Sequence, residues 1–389
     1  MPASKSRSFT HFDFLRRIRP RVLAELLASF PDSRKLSSEF GDPENELNYE
    51  SLAFLLASEP EQLPSDLVEA LYQIEEMATE RVMAQMVTEA RRLEIPLEDG
   101  VTAADLAAIL WIHDRNGFQR SHAEAKIERR RRFEYFTGEP DAQHPVWSEP
   151  SQEQLQALRT DLDKSFDLQM RGKGCRVHYF PRKFEIAFAV CRGDYFRREG
   201  VLENGQSSSI LYRPEKIDAV YYCPSTHELR INAPSKEIIK TYRRLFGLHL
   251  FGNQDAFSVE IAYTLEPLRC LCDSVMTVAD CHGIKNVRLV ELSLAWPGNL
   301  GKNTYASKDV LGFLQHQVDE IPIELSLINA KFEFVFPGED PEPDRARMVT
   351  IRPPNTAMFV RNEDSFRIER WLRKRGFVEF LVRKNRDAA

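Results

Sequence analysis

The sequence predicts an α+β fold: a helical N-terminal region, a central antiparallel sheet with a helix, and a C-terminal α/β portion. Three observations predict it. Helical apolar spacing punctuated by capping residues runs through the first 148 or so residues. After Gly172 the texture changes to short runs rich in aromatic and β-branched residues, too closely spaced for crossover helices and therefore antiparallel. Helical and strand patterns then alternate again to the C-terminus. The 389 residues accordingly divide into expected domains 1–148, 149–266 and 267–389, each of a size able to bury its own core.

Residues 14–30 have a helical apolar pattern stopped by Pro31, and a shorter apolar run covers 52–56 after the Gly41-Asp42-Pro43 loop. Asp66, with Glu69 three residues on, reads as the N-cap of one long helix through Leu67, Leu71, Ile74, Met77 and Ala78, stopped only by Pro96 and Gly100. Thr102 with Asp105 starts the next helix, which Asn116-Gly117 breaks, and a basic helix is expected over 119–136. The proline-containing stretch 138–150 reads as a linker, after which Ser151 and Gln154 form a capping-box pattern ahead of Leu155, Leu158, Leu162, Phe166 and Met170 on one face.

Strands are expected over 176–180, 184–191, 209–212, 217–222 and 228–232. Ser235 caps a helix closed by Gly247, followed by a strand at 259–265, a helix at 268–279 and a strand at 287–296. The last part reads as a helix at 307–317, strands at 323–329, 331–336 and 347–352, the Pro353-Pro354-Asn355 turn, and a helix at 365–375 ending at Gly376, with Trp371 inside it as a core residue.

A composition of 42% hydrophobic and 29% charged residues excludes wholesale disorder, a collagen-like chain and a disulfide miniprotein. No stretch reaches the roughly 20 apolar residues of a membrane helix, and the first 20 residues lack the apolar core of a secretory signal, so no membrane contact and a cytoplasmic, bacterial protein are expected. The six cysteines are too sparse for a disulfide framework and read as thiols; Cys270, Cys272 and Cys281-His282 have the wrong spacing for zinc and read as buried structural groups. No cofactor is expected. Arg171-Gly172-Lys173-Gly174 reads as a turn before a strand, not a phosphate loop, and no Gly-x-Ser-x-Gly elbow occurs.

One segment has an enzymatic layout. Residues 212–244 run from Asp218 on a strand through a turn to Glu228-x-Arg230 on a second strand and then a helix. In outline this resembles the restriction-endonuclease-like class, which implies a Mg²⁺-dependent nuclease using Asp218 and Glu228. It departs from that pattern where Asn232 and Pro234 stand in place of the acid and lysine, so the segment reads first as a plain antiparallel hairpin, ahead of a degenerate or a working site.

Charge is unevenly spread. The net charge is −6, yet residues 37–99 hold sixteen acidic and three basic residues, leaving the remainder positive. Three basic patches stand out: Arg129, Arg130, Arg131 and Arg132 in 126–136; Arg171, Lys173, Arg176, Arg182 and Lys183 in 171–198, interleaved with Tyr179, Phe180, Phe184, Tyr195 and Phe196; and Arg373, Lys374 and Arg375 in 367–386. Such clusters suit phosphates, and adjacent aromatics suit unpaired bases. The expected function is thus a non-catalytic subunit or accessory protein of a larger complex, contacting DNA or RNA through these patches and a protein partner through segment 37–99. The pair 102–116 and 119–136 has the layout of a helix-turn-helix, as any helical hairpin does. A scaffold without nucleic-acid contact requires only that the patches pair internally. No residue supports the further expectation of an accessory role in a mobile-element or phage-defence system.

Overall fold

The computed structural model describes residues 12–30, 48–58, 65–130, 132–139, 145–203, 205–299, 301–338, 343–354, 356–359 and 364–382. Among these the chain forms eleven helices and fourteen strands, a mixed α+β fold with antiparallel sheets. It divides into two units, residues 1–126 and 127–389. The boundaries expected at 148 and 266 do not coincide with this division. Strand β1 (Glu134–Thr137) and strand β14 (Val378–Val382), from the two outer expected domains, both belong to the sheet built from the middle one.

The first unit contains α1 (Phe12–Leu15), α2 (Pro20–Ala28), α3 (Tyr49–Ser58), α4 (Ser65–Met77), α5 (Glu80–Arg92), α6 (Ala103–His113) and most of α7 (Arg115–Glu128). Its centre is α6, whose sequence AADLAAILWIH is apolar on nearly every side and which packs against α2, α4 and α5. The expected capping box forms: Thr102 Oγ1 accepts from the Asp105 N–H at 3.0 Å, and Asp105 Oδ2 accepts from the Thr102 N–H at 3.0 Å. The buried Asp105 carboxylate also takes the Arg19 N–H at 2.6 Å and Nε–H at 3.0 Å, locking the start of α2 to the start of α6.

Three expectations fail here for local reasons. The single long helix is two, interrupted at Ala78-Thr79 with no glycine or proline to mark it, and Asp66 lies inside the first turn of α4. Arg17 Nη2 donates to the Ala78 carbonyl at 2.6 Å, which satisfies the group the break releases. The break expected at Asn116-Gly117 falls instead at Asp114, whose Oδ1 accepts from the Gly117 N–H at 2.9 Å. A Cβ on Gly117 would lie 2.3 Å from Asp114 Oδ2, so the glycine makes room for a cap. Finally, α7 stops at Glu128, and residues expected to continue it form β1, paired with β7 (Glu228–Asn232) on one side and β8 (Val259–Tyr263) on the other. Pairing on both edges overrides the local helical pattern.

The second unit carries a seven-stranded sheet in the order β14-β8-β1-β7-β6-β3-β2, where β2 is Arg176–Pro181, β3 Ile186–Gly193 and β6 Glu215–Cys223. Every neighbouring pair is antiparallel. One face, with Phe136, Phe188, Val190, Val220, Tyr222, Leu229 and Ile231, packs under α8 (Gln152–Leu168) and α9 (Lys236–Phe251). The Ser151–Gln154 capping box starts α8, and Ser235 caps α9 as expected. However, α9 runs past Gly247 to Gly252, which takes the left-handed conformation at φ +67°. Gly247 serves a different purpose: a Cβ there would lie 2.6 Å from the Asn253 carbonyl oxygen of the returning loop.

A second sheet has the order β10-β9-β11-β12-β13, with β9 Asn286–Ala295, β10 Lys302–Ala306, β11 Ser326–Phe336, β12 Arg345–Arg352 and β13 Thr356–Met358. The two strands expected at 323–336 are therefore one. The helix expected at 268–279 is two short 3₁₀ turns, Glu266–Leu268 and Asp273–Met276, and α10 (Val310–Gln315) is shorter than expected. Helix α11 (Ser365–Lys374) inserts Trp371, which is fully buried, stacks on Phe377 with centroids 5.5 Å apart and meets Phe334 edge-on at 5.1 Å. Its indole N–H donates to the Thr277 carbonyl at 2.9 Å. No helix among the described residues is long and apolar enough to cross a membrane.

Two measurements check these assignments. Trp371→Ala is expected to cost the second unit about 3–5 kcal/mol in denaturant unfolding, since it empties the space between sheet and helix. In the first unit, Glu76 Oε2 lies 2.6 Å from His122 Nε2 and 3.0 Å from Lys126 Nζ, and these partners, His122 foremost, hold its carboxyl at about 2 against an ordinary 4.5. A carboxyl depressed on folding stabilises above its unfolded pKa. The urea midpoint of wild type should thus exceed that of Glu76→Gln in full above about pH 4.5, and the difference should vanish as the pH falls through about 2.

Candidate nucleic-acid interface

The two carboxylates of the nuclease-like segment are not brought together. The β6–β7 register pairs Cys223 with Glu228 and Ala219 with Asn232, so Asp218 and Glu228 lie at opposite ends of the hairpin, about 16 Å apart along the strands, and point to opposite faces. Asp218 lies within β6, buried. Its Oδ2 accepts from Arg192 Nε at 2.6 Å and from the Tyr242 hydroxyl at 2.7 Å. Burial, then the Asp218 charge, pushes the Tyr242 phenol well above its ordinary value, so it remains a donor to that carboxylate.

Glu228 belongs to a second buried cluster on the opposite face. The Arg230 guanidinium lies among Glu185, Glu369 at 3.2 Å and Glu228 at 3.9 Å, while Arg373 from α11 pairs with Glu228. Burial disfavours the Arg230 charge, but the three carboxylates outweigh it and raise its pKa well above the ordinary value. Both acids are thus neutralised by arginines from their own unit. Among the described residues, no three His, Cys, Asp or Glu side chains converge to hold a metal ion.

Many of the predicted basic residues pair with acids of the same unit, and others are exposed. Arg171 is buried with Asp194 at 2.5 Å; Lys173 lies 3.5 Å from Asp167; Arg176 meets Glu215 at 2.5 Å; Arg182 meets Glu128 at 2.9 Å. Lys374 lies 3.3 Å from Asp280, and Arg375 pairs with the same carboxylate. All of these acids belong to residues 127–389, not to segment 37–99. Arg129, Arg130 and Arg132 are exposed beyond the end of α7 and do not line it, which removes the arginine-rich recognition helix from the helix-turn-helix layout; Arg131 lies outside the described residues. Arg130 donates to the Ile217 carbonyl at 2.9 Å, and Lys183 is exposed beside Phe184.

What remains is a feature the sequence only half disclosed. Strands β4 (Arg197–Glu203) and β5 (Gln206–Tyr212) form a separate two-stranded ribbon, and its base carries Tyr195 and Phe196, 50% and 62% exposed. Each ring is backed by a guanidinium: Arg171 lies 4.1 Å from the Tyr195 centroid and Arg213 4.0 Å from that of Phe196. Arg213 is held by the Met170 carbonyl at 2.5 Å and the Asp194 carbonyl at 3.4 Å.

Two glycines permit this approach. A Cβ on Gly193 would lie 2.4 Å from the Arg171 carbonyl oxygen, and Gly172, at φ +82°, would bring one within 3.0 Å of Arg213 Nε. Arg198 is exposed on the ribbon face that also presents Leu202 and Leu211, with Gly200 and Ser209 between them. The sequence reading counted both aromatics and Arg198 within a patch but passed over Arg213, because its place beside Phe196 depends on how the β4–β5 ribbon folds back.

Chemically, an exposed ring with a cation behind it offers one π face for stacking and a positive field for phosphate. No protein-family model matches the chain, and no curated protein is similar to it. The buried cluster is testable apart from any ligand. Arg230→Ala leaves buried carboxylates without their shared counter-ion and is expected to cost about 3–5 kcal/mol in unfolding experiments. The exposed Lys183→Ala should change stability by less than about 0.5 kcal/mol.

Proposed function

We propose that the second unit is a non-catalytic nucleic-acid-contacting module that binds single-stranded DNA or RNA at the base of the β4–β5 ribbon, as part of a larger assembly. The observation that carries this reading is the pair of neighbouring exposed rings, Tyr195 and Phe196, each seated on an arginine. Unpaired bases present π faces whatever their sequence, whereas duplex bases are already stacked, so this chemistry favours single strands. Arg198 and the half-exposed Arg197 add positive charge beside the rings. Relative to the three patches read from the sequence, the interface contracts to the 171–198 segment plus Arg213. The first unit, through the acidic segment 37–99 that includes Asp66, Glu69, Glu75 and Glu76 of α4, would face a protein partner.

A second reading, a scaffold without nucleic-acid contact, is favoured by the internal pairing of Arg171, Arg176, Arg182, Arg373 and Arg375. One experiment separates the two. Fluorescence polarisation with labelled single- and double-stranded DNA and RNA at two salt concentrations, with and without Mg²⁺, should give salt-sensitive binding that prefers single strands and leaves the oligonucleotide intact. Replacing both rings (Tyr195→Ala with Phe196→Ala) should weaken binding about tenfold or more, since each stacked base contributes about 1–3 kcal/mol. Absence of binding at low salt would establish the scaffold reading instead, whereas unchanged affinity in the doubly substituted protein would put the nucleic-acid contact elsewhere and overturn the site proposed here.

A further inference from the structure

Cys270 and Cys272 are exposed, unlike the other four cysteines, and the chain between them is built to hold them together. Leu271 sits at φ +49°, a left-handed conformation uncommon for a side chain of its size. It is buried, so packing offsets the cost of that conformation. The turn is clamped on both sides. Gln315 Nε2 donates to the Leu271 carbonyl at 2.7 Å and to Asp273 Oδ1 at 2.8 Å, while the Ile321 N–H donates to the Arg269 carbonyl at 3.0 Å.

The spacing of the two residues fits a disulfide. One helical residue, left- or right-handed, separates its neighbours' Cα atoms by about 5.4 Å, from a radius of about 2.3 Å and a rise of about 1.5 Å per residue. Disulfides span Cα separations of about 4.4–6.8 Å. Each sulfur already lies against the other residue: the Cys272 N–H donates to Cys270 Sγ at 3.3 Å, and Cys272 Sγ donates to the Cys270 carbonyl at 3.2 Å, while Cys270 Sγ also donates to the Pro267 carbonyl at 3.5 Å. An extended residue at position 271 would instead set the two Cα atoms about 6.6 Å apart, near the upper end of that range.

We propose that Cys270 and Cys272 form a thiol–disulfide exchange site that reacts with low-molecular-weight disulfides and closes into an intrachain bond. In the first step, the thiolate of Cys270 or Cys272 attacks one sulfur of oxidised glutathione, forming a mixed disulfide and expelling one glutathione thiolate. The neighbouring cysteine then attacks the protein sulfur of that mixed disulfide, forming the Cys270–Cys272 bond and expelling the second. The two protons lost by the protein thiols go to the two glutathione thiolates; the pair loses two electrons and glutathione gains them. The Cys272 thiol is held above its ordinary pKa, first by its contact with Cys270 and then by partial desolvation and the Asp273 charge, so exchange should quicken as the pH rises from 7 to 9.

The test uses the full chain, reduced, then exposed to oxidised glutathione at pH 8, quenched with N-ethylmaleimide and digested. Tandem mass spectrometry should find the segment containing residues 270–272 two hydrogens lighter and unlabelled, with two equivalents of glutathione released. Cys272→Ser and Cys270→Ser should each stop at a stable glutathione adduct on the remaining thiol. The proposal is overturned if the wild-type chain keeps a glutathione on either cysteine as the single variants do. It is equally overturned if neither the wild type nor the variants react, or if the bond that forms joins two chains.

Discussion

A guanidinium withdrawn from water must find its counter-charges inside the protein, and Arg230 meets that constraint by drawing three acids around it. Glu185 comes from the turn before β3, Glu228 from its own strand and Glu369 from α11. Because Arg373 of the same helix returns to Glu228, α11 is tied to the seven-stranded sheet at two points. On its other side Trp371 meets Phe332 and Phe334 of the second sheet. The ion cluster therefore sets where α11 lies, and α11 sets how the two sheets of this unit meet. A second buried arginine, Arg192, performs a related duty on the opposite face, with Asp218 and Tyr242.

These clusters explain why local charge is a poor guide to surface in this chain. The 171–198 and 367–386 segments are strongly basic in sequence, yet much of that charge is spent on Asp194, Glu215, Glu128, Glu228 and Asp280. Side chains from distant parts of the chain cancel what neighbours in sequence accumulate. What stays available to a ligand is less charged and more specific in shape: two rings and their arginines at the foot of a ribbon. Among the described residues that ribbon pairs with neither larger sheet, and an isolated two-stranded ribbon is weakly self-supporting. At its base Gly172 and Gly193 admit Arg213 and Arg171 at close range.

Much of the local structure was legible. Thr102 and Ser151 stand at real capping boxes, Ser235 at a real cap and Trp371 in a real core, because each of these features is decided within a few residues. The failures share the opposite property. The break at Ala78-Thr79 depends on Arg17, sixty-one residues away, and β1 became a strand because β7 and β8 flank it. The reading of Cys270 and Cys272 as buried thiols on a helix assumed regular backbone where Leu271 turns left-handed. Asp218 and Glu228 looked like partners because the sequence spacing of a hairpin says nothing about which face each residue takes until the register is known.

The sequence by itself determined the α+β character, the helix starts and most of the strands, since propensity, periodicity and capping act over one or two turns of chain. Only the tertiary structure decided which charges survive at the surface, which carboxylates meet, and which aromatic rings stay exposed over arginines. Those outcomes rest on contacts between residues tens to more than a hundred positions apart, such as Arg230 with Glu369, and only the folded arrangement brings such residues within reach of each other.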